Sequence, residues 1–132
     1  MKEFVVTKVT SEIDENLAVV YKSNTTIECE KNIHEVFVRA MCVDKGVKIC
    51  YARPTDEYLT TCFIVTEMKY IDSIDHYLVD TAGVKYADSA DEVIRHYDWY
   101  TRHSSVPKIV FIRPATREEA GYYEDTFCDI YD

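Results

Sequence analysis

Two stretches sixty positions apart share one plan: Lys48-Ile49-Cys50-Tyr51-Ala52-Arg53-Pro54 and Lys108-Ile109-Val110-Phe111-Ile112-Arg113-Pro114. Each is an apolar run that fits a pleated surface. Each is stopped by a proline, which lacks an N–H and turns its predecessor away from helical angles. Three further blocks recur in the same order. Phe4-Val5-Val6-Thr7 returns as Phe63-Ile64-Val65-Thr66, Ile13-Asp14 with Leu17 as Ile74-Asp75 with Leu78, and Asn32-x-x-Glu35-Val36 as Ser89-x-x-Glu92-Val93, at offsets of 59, 61 and 57. A chain written twice in this way is constrained to two copies of one supersecondary unit.

Each copy reads strand, strand, helix, strand. In the first, residues 3–9 alternate as a strand, 11–16 are polar turn material and 17–22 form a second strand. In the second, 58–70 is rich in Thr, Ile, Val and Tyr, 72–75 suits a turn and 77–79 resumes a strand; a helix over 72–80 is the competing reading. Residues 32–45 place Ile33, Val36, Phe37, Ala40 and Met41 on one helical face, and 90–102 repeat this with Ala90, Val93, Ile94, Tyr97 and Tyr100. Glu35 and Arg39 form an i,i+4 pair on the outer face. Both helices open with a cap residue and a Glu three positions on, and Gly46 suits a left-handed helix stop. A last helix follows the Thr116-x-x-Glu119 cap, with an Ala120, Tyr123, Phe127, Ile130 stripe.

The expected fold is α+β, a single domain over 1–132. It holds two tandem ββαβ units, about 3–54 and 58–114, related by pseudo-twofold symmetry, and a C-terminal acidic helix over 115–132. A ferredoxin-like double βαβ core and a double-psi-type barrel are both compatible with this order, although the signature motif of neither is present.

Charge narrows the function. Fifteen Lys/Arg against twenty-four Asp/Glu leave a net −9, which disfavours direct nucleic-acid binding and adsorption to anionic lipid, because both need clustered cations. The asymmetry is internal: residues 1–66 carry 8 basic and 10 acidic side chains, residues 67–132 carry 7 and 14. A field of that sign steers a basic partner toward the C-terminal half. No apolar run is long enough to span a membrane, and Met1-Lys2-Glu3 opens no signal segment, so the expected location is cytoplasmic. Five cysteines without a Cys-x-x-Cys pair then read as free, buried thiols rather than a disulfide framework or zinc site. No metal or cofactor is expected.

Three constellations are candidates. Arg53 and Arg113, at equivalent strand ends, are expected to approach the pseudo-dyad, with Arg117 and the helix start at Thr116 completing an anion site; the plainer reading pairs each with a local acid such as Asp56 or Glu118. Glu92, His96, Trp99 and His103 fall at i, i+4, i+7 and i+11, one row along a helix. The lone tryptophan stands off the apolar stripe, as binding anchors do. His96 and His103 are too far apart, about 10.5 Å of rise, to share a metal ion. Glu118, Asp125 and Asp129, with Tyr122 between them, make a similar row on the last helix. Its carboxylate spacing resembles that of phosphates on a nucleic acid.

Catalytic motifs are missing: there is no Gly-rich phosphate loop and no Gly-x-Ser-x-Gly elbow, and only Gly46, Gly83 and Gly121 are available to build either. Asp75-His76 and Cys42 with His34 lack a third member. The reading that follows is a small acidic, non-enzymatic protein that occupies a basic surface of a nucleic-acid-binding protein, as an inhibitor or nucleic-acid mimic of the sort phages and viruses encode. An anionic small molecule or nucleotide bound at the pseudo-dyad is the alternative, and an acid/base enzyme using His96 or His76 a third.

Overall fold

The computed structural model describes residues 1–44, 46–56, 60–103 and 108–126, the last five by backbone alone. Its elements run β1 (Lys2–Ile13), β2 (Val19–Glu30), α1 (Ile33–Cys42), β3 (Val47–Pro54), β4 (Cys62–Ile71), β5 (His76–Tyr86), α2 (Ala90–Arg102), β6 (Lys108–Pro114) and α3 (Arg117–Thr126). The strands form one mixed sheet in the order β2-β1-β3-β6-β4-β5. All neighbours are antiparallel except the central pair, β3 and β6, which run parallel with Ile49, Cys50 and Tyr51 opposite Val110, Phe111 and Ile112.

The central pair is buried on both faces, so it reads as continuous apolar sequence rather than alternation. Because successive side chains point to opposite faces, Cys50, Ala52, Ile109 and Phe111 form one core with Val36 and Ala40 of α1. Ile49, Tyr51, Val110 and Ile112 form the other, with Val93 of α2. Helices α1 and α2 therefore cover opposite faces. Phe37 of α1 stacks on Phe111, ring centroids 4.8 Å apart. A third, smaller cluster seats Ala115 and Ala120 against Cys62, Ile64 and Val84.

Strand lengths differ from the sequence expectation. β1 continues through Ser11 and Glu12 to Ile13, and β2 runs to Glu30 rather than stopping near residue 22. β5 covers eleven residues after a 3-10 turn at Asp72–Ile74, which answers the strand-or-helix alternative for 72–80 in favour of turn and strand. β2 and β5 are the sheet edges and largely exposed. Their hydrogen bonds to β1 and β4 carry them through polar sequence without an apolar period.

The caps form as their residues dictate. Asn32 Oδ1 accepts from the Glu35 amide at 3.0 Å, and Ser89 Oγ from the Glu92 amide at 3.4 Å. Helix α1 ends at Cys42, three residues earlier than its pattern suggested, and Arg39 pairs with Glu30 on β2 at 3.2 Å rather than with Glu35. Gly46 does take a left-handed φ of +74°, but for another reason than a helix stop. A Cβ there would lie 2.4 Å from the Ser11 carbonyl oxygen, where the Ser11 amide donates to the Gly46 carbonyl at 2.8 Å. Only a residue without a side chain permits that approach.

Candidate functional site

Helix α2 turns Val93, Ile94 and Tyr97 into the core and leaves two charged or aromatic rows facing outward. One is the anticipated row. Trp99 is 63% exposed, yet its orientation is held. The His103 ring stacks on it, centroids 4.4 Å apart and 26° from parallel, and His103 Nδ1 lies 2.7 Å from the Trp99 carbonyl oxygen. His96 sits edge-on to Tyr97 at 4.9 Å. Glu92 is differently employed, because its Oε2 accepts from the amide of Asp88, the residue before the Ser89 cap, at 2.8 Å. Trp99 and His103 are thus a pre-ordered aromatic surface, while Glu92 serves the helix start.

The arginine pair is not brought together. Arg53 follows Ile49 and Tyr51 in alternation and stands on the α2 face; Arg113 follows Ile109 and Phe111 and stands on the α1 face. Each does one equivalent thing, donating from Nη1 to the carbonyl of its own proline, at 3.0 Å for Pro54 and 3.3 Å for Pro114. Arg113 also grips Glu119, Nη1 to Oε1 at 2.6 Å and Nη2 to Oε2 at 2.7 Å. Thr116 Oγ1 accepts from the Glu119 amide, and Glu119 Oε1 from the Thr116 amide. The α3 N-terminus therefore carries its own anion, Glu119, not Glu118. The Arg113 hydrogen bond, against some burial, holds that carboxyl down to about 2. Arg117 and Glu118 are exposed. Side chains of Tyr122 and Asp125, and all of Asp129, lie outside the described residues.

Two grooves escaped the sequence reading. On the α1 face, a cavity of about 630 Å³ lies between His34, Phe37, Val38 and Met41 of α1 and the floor of β4 and β5. On the α2 face, one of about 560 Å³ lies between Asp91, Ile94, Arg95 and Asp98 of α2 and the β1–β2 hairpin. Four helix positions in each share a spacing, 34/37/38/41 against 91/94/95/98, with Ile33 lining only the first groove and Arg102 only the second; the first set is mainly apolar and the second mainly charged. Over the second groove Arg102 lies 4.0 Å above the Tyr21 ring. The sequence signal was present only as the helix edges; the opposing walls come from the other half of the chain.

Several other titratable groups serve the fold. Lys8 bonds Glu28 at 2.8 Å and Asp44 at 2.6 Å. Lys108 meets Tyr100, Asp80 and Glu67, and the Tyr100 hydrogen bond leads in holding its pKa above the ordinary lysine value. Asp75 accepts from the Tyr70 hydroxyl rather than serving His76. His34 and Cys42 stand eight residues apart on α1, about 12 Å of rise. Cys50 and Cys62 are buried, but Cys29 and Cys42 are exposed, against the expectation of buried thiols. Among the described residues no group of three or more His, Cys, Asp or Glu is placed to hold a metal ion, and no helix is long and apolar enough to cross a membrane. No protein-family model, curated protein or solved structure matches the chain.

Proposed function

We propose that this chain is a non-enzymatic binding protein that occupies a basic surface of a macromolecular partner, with the outward face of α2 as its anchor. The observation that carries the reading is Trp99, exposed and already stacked on His103. An aromatic anchor ordered before contact forfeits little conformational entropy on binding. The net charge of −9 supplies the complementary long-range term, concentrated in the second half and extended by Glu118, Asp125 and Asp129. A basic nucleic-acid-binding protein in the cytoplasm fits that chemistry, with this chain as inhibitor or mimic.

The same reading takes the two ββαβ units as copies related by a twofold axis along β3 and β6. Two observations support it. Equivalent residues exchange faces, Cys50 and Ala52 toward α1 against Val110 and Ile112 toward α2, and four of the five α1 or α2 positions lining each groove share one spacing. An axis of that direction places Arg53 and Arg113 on opposite faces, so nothing favours an anion between them.

Immobilised protein exposed to lysate of the native host at low and high salt tests the proposal. A basic protein should be retained at low salt, released at high salt, and lost with Trp99→Ala. Retention indifferent to both salt and Trp99 overturns it.

A further inference from the structure

The second outward row of α2 has a property unrelated to Trp99. Asp91, Arg95, Asp98 and Arg102 lie at i, i+4, i+7 and i+11, within about 60° of arc on a helix advancing 100° per residue. Their signs alternate and their spacing, 4-3-4, reads the same in both directions about the point between His96 and Tyr97. Reversed on itself, the row sets Asp91 against Arg102 and Arg95 against Asp98, so that every contact joins opposite charges.

We infer that α2 is the contact between two copies of this chain, paired antiparallel about a twofold axis through that midpoint. An isologous interface requires a patch that complements itself, residue i meeting j while j meets i, and this row satisfies the requirement at all four positions. The row carries no net charge, so molecules of net −9 meet through a neutral strip. Their remaining repulsion is screened beyond about 8 Å at physiological salt. The side chains are held along the row: Arg102 Nε bonds Asp98 Oδ1 at 3.0 Å, and Arg95 Nε donates to the Asp91 carbonyl at 3.4 Å. At three of the four positions α1 carries His34, Val38 and Met41 instead, and Arg102 also packs over the Tyr21 ring of β2. In the pair, both Trp99–His103 surfaces lie on the same side, about 100° around each helix from the contact, so the dimer presents two anchors in one direction. One helix against another is smaller than a standard interface, which makes the association weak and concentration-dependent.

Sedimentation of the full chain at about 0.15 M ionic strength tests this. The wild-type chain should dimerise with rising concentration. Arg95→Asp and Asp98→Arg, each alone, should be monomeric, because each sets like charges together twice. An equimolar mixture of the two should dimerise again, since Arg95→Asp on one copy then faces Asp98→Arg on the other. If either variant loses α2 by circular dichroism, Asp98→Ala, a strong helix former at that position, should still weaken self-association about tenfold, the equivalent of about 1.4 kcal/mol. A wild-type chain monomeric to about 1 mM, single variants that associate like wild type, or a mixture that stays monomeric overturns the inference. Because the readout is oligomeric state, its failure leaves partner capture through Trp99 standing, and the reverse.

Discussion

Arg113 holds Glu119 through both terminal guanidinium nitrogens, at 2.6 and 2.7 Å, and so ties the end of a central strand to the first turn of α3. The carboxylate also closes the Thr116 capping box. One side chain thus satisfies an arginine, an orphan amide and the positive end of a helix dipole. The two oxygens match the planar fork of the guanidinium, a geometry lysine cannot reproduce.

Acid stability should report this contact. Glu119 has a folded pKa of about 2, below its ordinary 4.5, so its contribution is complete above about 4.5 and is lost as pH falls toward 2. At neutral pH, Glu119→Gln should cost about 1–2 kcal/mol, less than the full shift implies because the pair is partly solvated. Urea unfolding from pH 7 to pH 2 should give a shallower acid slope for the variant; superimposable slopes would refute the assignment.

Gly46→Ala should destabilise by about 2–3 kcal/mol, combining a left-handed backbone with a collision against backbone rather than a yielding side chain. Thermal melting measures it. A loss below about 0.5 kcal/mol would mean that the β1–β3 junction relaxes freely.

Trp99→Ala should leave stability within about 0.5 kcal/mol, as expected for a side chain that contributes little burial, while abolishing partner capture. A stability loss above about 2 kcal/mol would make Trp99 a packing residue instead.

Thiol labelling should divide the cysteines by burial. In a Cys128→Ser background, Cys29 and Cys42 should react quickly in the native state. Cys50, its thiol pushed up to about 12 by burial, and Cys62 should react only on unfolding. Native-state labelling of all four at similar rates would contradict the packing around β3 and β4.

Much of the fold was legible locally. Asn32, Ser89 and Thr116 announced their helices because a cap is an interaction over three residues. The doubly buried strands announced themselves because Ile49–Ala52 and Ile109–Ile112 are apolar without interruption. The full extent of β2 and β5 was not legible. Edge strands with exposed Lys, Asn and Thr have no apolar period to read, and their length is imposed by pairing to β1 and β4.

What the chain determined by itself was the order of elements, their caps and the apolar stripe each helix buries, all interactions within a few residues. What only tertiary structure decided was which side chains share a face. Arg53 and Arg113 look equivalent in the sequence, yet parallel pairing of β3 with β6 and the two-residue alternation of a strand send them to opposite sides of one sheet. The grooves beside α1 and α2 arise in the same way. Each has one wall from either half of the chain, and no spacing along a single strand or helix can encode a surface that exists only after two distant segments meet.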